Sequence, residues 1–423
     1  MKFELSSFGE RICSRSGIED LMQDLGEALA SGDDVKMLGG GQPAHIPELD
    51  AVWQRQMADL MQQPERLNAV LGNYEPPRGS NQFIESLAKL LRERLGWDVG
   101  PENIAITAGG QTAFFYLFNA LGGKFEDGRE KEILLPFVPE YIGYSNQSTA
   151  GSLFRAGKPR IELIGEHEFK YRVDFDSLEI RENTAALCVS RPTNPTGNVL
   201  TDGELKRLSE LAEAHGIPLI IDGAYGAPFP NIFFADAKPL WNENIIVTMS
   251  LSKIGLPGTR TGIVVAHPDV AAAMASATAI VGLANANIGQ ALIEPLIGSG
   301  EILELSDQVV KPFYEERSRL AQKWVAEAMD DSLPYRVHSS EGALFLWLWF
   351  EGLPITTKEL YGRLKARGVL IVPGEYFFFG LPEGEEWRHR DECLRMTFTM
   401  DEDTVKGGIE AIAEEVAKAY AEG

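Results

Sequence analysis

Two hydrophobic rhythms alternate along this chain from about residue 80. The stretch SNQFIESLAKLLRERLG puts Phe83, Ile84, Leu87, Leu90, Leu91 and Leu95 on one face at helical spacing. Ser80 is its expected N-cap and Gly96 its expected stop. Short unbroken apolar runs then recur: NIAITAGG (103–110), EILLPF (132–137), TAALCVS (184–190), IPLIIDGAYG (217–226), NIIVTMS (244–250) and GIVVAHP (262–268). Each has strand length and no polar alternation, so it predicts a strand covered on both faces. Helical patterns fall between them. TAFFYLFNAL (112–121) reads as a buried helix, and TDGELKRLSELAEAHG opens with a capping box, Thr201 to Glu204, and closes at Gly216. This alternation predicts an α/β fold with a mostly parallel sheet between helices.

The texture changes after a long helical pattern at 301–324. EGALFLWLWF, LKARGVLIVPG and CLRMTFTM read as strands with one intervening helix end, and the chain closes on a helix from about 403. The expected division is an N-terminal arm over 1–52 packed on the small domain, a large domain over 53–310, and a smaller α+β domain over 311–423. There is no internal repeat. Residues 270–293 carry no charge and are long enough to span a bilayer. Their Ala, Ser, Thr, Asn, Gln and Gly gain little from hydrocarbon. They read as a helix and loop buried between protein surfaces.

Composition narrows the partners. The 423 residues carry 39 basic and 62 acidic side chains, a formal charge of −23. Such a surface repels nucleic acid and anionic lipid. Three scattered cysteines without C-x-x-C suggest neither a disulfide framework nor zinc, and the six histidines show no H-x-x-x-H pair. The first residues, MKFELSSFGERICSRSG, show no signal-like apolar region. The expectation is a cytoplasmic protein with no metal.

In open α/β sheets ligands bind beyond the carboxyl ends of the strands. The chemistry-bearing stretches fall there: AGGQT, RPTNPTGN, DGAY and SLSKIGLPGTRTG. A lysine amine forms a Schiff base with an aldehyde. The cofactor that fits is pyridoxal 5′-phosphate, which needs a lysine, a carboxylate at its ring nitrogen, donors to its phenolate oxygen and an anion site. Lys253 is the candidate lysine and Asp222 the candidate ring-nitrogen partner. Tyr225 and Asn194 are placed to bond the phenolate oxygen. Ser250, Ser252 and Arg260 suit the phosphate, as do Gly109, Gly110 and Gln111 at a helix N-terminus. Tyr141, in PFVPEYIGY, is an aromatic for the ring face. Taken singly, each has an ordinary reading: a solvated lysine, a Pro-Gly turn, an N-cap, a surface ion pair. Their ordered recurrence at successive strand ends favours one site.

These residues resemble the fold-type I pyridoxal-phosphate aminotransferases, the aspartate aminotransferase superfamily. NPTG (194–197), DGAYG (222–226) and SLSKIGLPGTRTG (250–262) carry the likeness, which runs from about residue 39 to the C-terminus. It implies a large domain with a mostly parallel sheet, a smaller α+β domain, and catalytic roles for Lys253, Asp222 and Tyr225. GGGQP (39–43) is similar to the family's glycine segment at the substrate carboxylate, which implies a role for Gly41 beside Asn194. CLRMTF is similar to the strand whose arginine, here Arg395, binds that carboxylate. YEPPRGSNQFIESL is similar to the segment whose tyrosine, here Tyr74, reaches the phosphate of the other subunit of a homodimer. AGGQ departs from many relatives at Gly110, which removes one side-chain donor.

Longer phrases, VSRPTNPTGNVLTDGEL and VKPFYEER among them, resemble members of that superfamily that act on neutral amino acids, and the resemblance implies amino transfer between valine or alanine and a 2-oxo acid, pyruvate or 3-methyl-2-oxobutanoate. Another neutral donor, or elimination by a C–S lyase of the same fold, remains the alternative. Family members that take a distal carboxylate draw a second arginine from the segment that here is 270–293. It supplies none, so a neutral substrate side chain is expected. Asn285 and Asn287 there are either cross-subunit contacts or plain loop residues.

Overall fold

The computed structural model describes residues 3–13, 23, 26, 35–149 and 151–423. An eight-stranded sheet forms its centre. Its order runs Ile104–Thr107, Gly262–Val265, Ile245–Ser250, Leu219–Asp222, Thr184–Ser190, Glu130–Leu135 and Gly123–Lys124, with Phe154–Ala156 paired to Glu130–Leu135. Pairing is parallel from Ile245–Ser250 through Phe154–Ala156, and Gly262–Val265 runs against both its neighbours. All seven residues of Thr184–Ser190 and all six of Ile245–Ser250 are buried. That explains the unbroken apolar runs: with helices on both faces, neither side of a strand meets water. Register places the chemistry. Ser190 and Thr248 are both Cα partners of Asp222, and Gly262 pairs with both Ser250 and Thr107. The polar loops therefore leave the sheet along one edge.

The helices follow their capping signals. Asp202–Ala214 begins at the reciprocal box, with Glu204 N–H donating to Thr201 Oγ1 at 3.2 Å and Thr201 N–H to Glu204 Oε2 at 2.9 Å. Asn81–Leu95 stops at Gly96, whose φ of +68° suits a residue without Cβ.

A six-stranded sheet forms the second layer, ordered Val372–Pro373, Cys393–Thr397, Phe345–Phe350, Tyr335–His338, Glu168–Arg172 and Arg160–Ile164. Its last two strands are a hairpin from the middle of the chain. They lie within the span 53–310 expected to be one domain, so sheet membership does not follow that boundary. The reason is long-range pairing: Val337 lies beside Glu168.

The N-terminal expectation is divided. Lys36–Met37 pairs with Val369–Leu370, and Thr397 N–H donates to Leu38 O at 2.7 Å, which ties this strand to the smaller sheet. Helix Ser7–Ile12 instead leans on Ser148 and Gly151, with Arg11 Nε donating to Ser148 O at 2.9 Å and Arg11 Nη2 bonded to Gly151 O. Helix Pro47–Met61 crosses the expected boundary at 52 and packs by Trp53, whose Nε1 donates to Ile254 O at 3.1 Å. Most of 14–34 lies outside the described residues.

Two helical expectations also change in detail. The helix from residue 301 is broken by a π-helical turn, Ser306–Val310, before Lys311–Ala328. Residues 270–293 form parts of two helices, Pro268–Val281 and Asn287–Ser299, but their junction is not buried. Ile280, Val281 and Leu283 are 86%, 66% and 58% exposed. Pro268–Val281 buries only Ala271, Met274 and Thr278, so its apolar C-terminal end faces outward. No helix among the described residues is long and apolar enough to cross a membrane.

Candidate active site

A cavity of about 1090 Å³ opens at the strand-end edge, between the large sheet and the second layer. Lys253, Asp222, Tyr225, Asn194 and Arg395 line it. So do Tyr141, Gly110, Gln111, Ser250, Ser252, Arg260 and Gly41. Of the predicted set, only Gly109 and Tyr74 are not in its wall. Gly109 lies directly behind: a Cβ there would collide with the Arg260 guanidinium, and its φ is +93°. Tyr74 is 81% exposed on the outer surface.

Lys253 sits in the 3-10 turn Leu251–Ile254 that follows strand Ile245–Ser250. Its Nζ donates to Gly41 O at 2.5 Å and lies 5.3 Å from the Tyr225 ring centre. Burial, then the positive charge of Arg395, lower its amine to about 8, with Asp222 opposing. A group titrating there can both accept and return a proton near neutral pH.

Asp222 ends its strand and is buried. Its Oδ2 accepts from Tyr144 OH at 2.5 Å and its Oδ1 from Ala224 N–H at 2.9 Å; the Thr248 hydroxyl also bonds it. Burial raises its carboxyl, while these donors and Lys253 pull it back. Tyr225 follows on the same loop and lines the cavity with Asn194; burial pushes its hydroxyl up.

Arg395 is enclosed between aromatic rings, 4.2 Å from the Phe345 centre and 5.2 Å from that of Phe377. Its Nη1 donates to Asn194 Oδ1 at 2.8 Å and its Nη2 to Gly39 O at 2.7 Å. Its Nε is buried and has no hydrogen-bond partner among the described residues. Burial lowers it to about 10. A desolvated guanidinium with a spare donor is built to receive an anion.

The expected phosphate end is equally ordered. Ser250 Oγ accepts from Ser252 N–H at 3.1 Å and lies 3.0 Å from Ser252 Oγ. Arg260 is left-handed, φ +49°, an uncommon conformation for a side-chain-bearing residue. It reaches back so that Nη2 meets Ala108 O at 3.4 Å, beside the start of helix Gly110–Leu121. Free N–H groups of that helix, Arg260 and the two serines form one anion cradle, whose close approach requires Gly109. Gln111 contributes only backbone, because its Nε2 is engaged with Gly143 O at 2.8 Å.

Several residues escaped sequence reasoning. Tyr144, which holds Asp222, lies three residues past Tyr141 on one 3-10 turn, Ile142–Tyr144. Glu140, the residue before Tyr141, is 1% exposed. Phe313 and Arg317 line the cavity from the helix after the π turn; Arg317 Nη1 is 3.4 Å from Glu402 Oε1. Asn285 and Asn287 are structural ties: their Nδ2 groups bond Pro77 O and Ile106 O, and Val70 O and Asn73 O, all within 3.1 Å. Among the described residues no group of three or more His, Cys, Asp or Glu side chains is placed to hold a metal.

A lysine, a buried carboxylate and an enclosed arginine face one cavity at the carboxyl ends of a mostly parallel sheet. The chain belongs to the aminotransferase class I and II family, whose model matches residues 38–412. It is 48% identical over 417 residues to the valine–pyruvate aminotransferase of Escherichia coli K12, covering 99% of both chains. The crystal structure of valine–pyruvate aminotransferase from Salmonella typhimurium LT2 is 47% identical, with a TM-score of 0.88 over 96% of this chain and all of that one. Aspartate aminotransferase from Thermus thermophilus shares the fold, with a TM-score of 0.78 at 20% identity over 98% of this chain and all of that one. The fold is thus that of the fold-type I aminotransferases, as the sequence motifs implied.

Proposed function

We propose that this aminotransferase uses pyridoxal 5′-phosphate to move the amino group between valine or alanine and a 2-oxo acid, pyruvate or 3-methyl-2-oxobutanoate. One observation carries the reading: Lys253, Asp222 and Arg395 face a single cavity beside an anion cradle. The full-length likeness to valine–pyruvate aminotransferases supports the substrate assignment. The cavity fits the cofactor: the Gly109 cradle suits its phosphate, Asp222 its ring nitrogen, and Tyr225 with Asn194 its phenolate oxygen. Bound there, the cofactor supplies an electron sink for the carbanion left when the α-proton departs.

The chain's own residues do the rest. Arg395 binds the substrate carboxylate, with Nε and the Nη groups as donors, and Gly41 lies beside it. Tyr141 covers the ring face. Lys253 Nζ takes the α-proton and hands it back within the site; its lowered basicity leaves much of the amine neutral near pH 8. Arg317 does not make a second carboxylate site, because Glu402 lies at 3.4 Å and Asp401 lines the wall beside it. A neutral side chain is the better fit. In this reading the body up to residue 310 holds the cofactor, and residues 311–423 bring Arg395 to the substrate. The protein works in the cytoplasm as a homodimer, and the exposed Tyr74 reaches the partner's phosphate.

Arg395→Lys tests the carboxylate role. Lysine keeps the charge but loses the fork, so KM for valine should rise about 10- to 100-fold with a smaller change in kcat. An unchanged KM in steady-state assays contradicts the assignment. For the whole reading, the visible spectrum of the purified protein should shift when valine is added and return with pyruvate. No shift with valine or alanine, in protein that carries the cofactor, overturns the substrate class.

A further inference from the structure

Beside Asp222 lies a second buried carboxyl that the proposed chemistry does not use. Glu140 Oε1 accepts from Ser190 N–H at 2.8 Å. Its Oε2 lies 2.6 Å from Ser190 Oγ and 3.2 Å from Tyr141 N. Its own N–H donates to Phe377 O at 3.0 Å, so it is anchored from both layers. Ser190 is the register partner of Asp222, lines the cavity, and precedes Arg191, whose N–H donates to Asp222 O at 2.9 Å. Glu140 and Asp222, both buried, are thus joined through the end of a single strand.

We propose that Glu140 carries its proton at neutral pH and serves as a positioning residue: its Oε2–H donates to Ser190 Oγ, which turns the serine hydrogen toward the cavity and leaves Asp222 as the ionised member of this buried pair. The inference rests on the cofactor reading for its purpose, a single negative charge at the ring nitrogen, but not for its test.

Two coupled buried carboxyls do not both ionise readily. The donor sets decide which keeps the charge. Asp222 has Tyr144 OH, Ala224 N–H, Thr248 and the positive charge of Lys253. Glu140 has Ser190 and Tyr141 N–H, and no cation bonds it among the described residues. The titratable groups coupled to it are Asp222, the Tyr144 hydroxyl and the Cys188 thiol, none of which supplies positive charge. In keeping with this, burial raises the Glu140 carboxyl to about 8, with the Ser190 bonds opposing and Asp222 adding to the rise.

A carboxyl raised on folding from 4.5 to about 8 holds a proton that the unfolded chain has lost. Its contribution to stability is full below the unfolded value and disappears as pH rises to the folded one. The cofactor-free protein should show this in thermal unfolding of wild type and Glu140→Gln between pH 5 and 9. The expected result is a melting-temperature gap that moves in favour of the glutamine variant from pH 5 to 8, then stays level. Lys253 does not confuse the window, because its lowered amine titrates between about 8 and 10.5. A gap constant across this range overturns the proposal, since a merely structural glutamate shifts both curves equally. If the variant does not fold, wild type labelled with 13C-carboxyl glutamate decides the point. An isotope-shifted un-ionised carboxyl stretch at pH 6.5 that is gone at pH 9.5 supports the proposal; its absence at pH 6.5 refutes it. The valine-induced spectral shift tests the cofactor reading separately.

Discussion

Lys253→Ala should abolish amino transfer while leaving a folded protein. The loss in a single-turnover assay with alanine or valine is expected to reach about 10⁴-fold, the upper range for a positioned proton carrier. In the proposed reading the same amine also anchors the cofactor covalently, so no other side chain in the cavity should replace it. Tyr225 is the other proton-bearing group near it, and burial holds its hydroxyl well above the neutral range. Stability should change little. Among the described residues Lys253 Nζ makes one bond, to Gly41 O, worth about 1 kcal/mol. Lys253→Arg separates charge from proton transfer. A guanidinium keeps the positive field but does not deprotonate, so its loss should match that of alanine. A substantial residual rate in either variant would sink the assignment of the base.

Asp222→Asn is the second large effect. Asparagine keeps the shape, with Oδ1 accepting from Ala224 N–H and Nδ2 donating to the Tyr144 hydroxyl oxygen, but carries no charge. Amino transfer should fall about 10²- to 10³-fold, the scale seen when one preorganised electrostatic partner is removed. The melting temperature should stay near that of the wild type, because the pocket remains filled and bonded. Asp222→Ala should lose as much rate and also stability, since Tyr144 OH and Ala224 N–H would both lose their acceptor. Each unpaired buried group costs about 1–3 kcal/mol. Full activity in the asparagine variant would show that the charge at 222 is not used.

The large sheet was legible because its strands are buried on both faces, which writes them into the sequence as unbroken apolar runs. Once the runs were placed, the strand-end rule gathered Lys253, Asp222 and Asn194 without coordinates. The phosphate cradle was legible as residue types, but its geometry was not. Arg260 reaches the helix start only through a left-handed turn, and that crossing is what fixes Gly109. The hairpin 160–172 was missed because RIELIGEHEFKYR carries charges on both sides of its apolar residues and pairs with strands far along the chain. Tyr144 was missed because a 3-10 turn, not a periodic element, carries it to Asp222. Arg317 had no local signal: only the π turn at Ser306–Val310 sets which face of the following helix meets the cavity. The exposed junction at 280–283 was not legible, because an uncharged composition does not say which residues of a segment are covered.

The central claim concerns one amine, and covalent mapping addresses it directly. The purified protein, loaded with pyridoxal 5′-phosphate, is reduced with borohydride, digested and mapped by mass spectrometry. The account predicts a phosphopyridoxyl group fixed to Lys253 and to no other lysine. Modification at a different lysine, or none at all in protein that holds the cofactor, would contradict it.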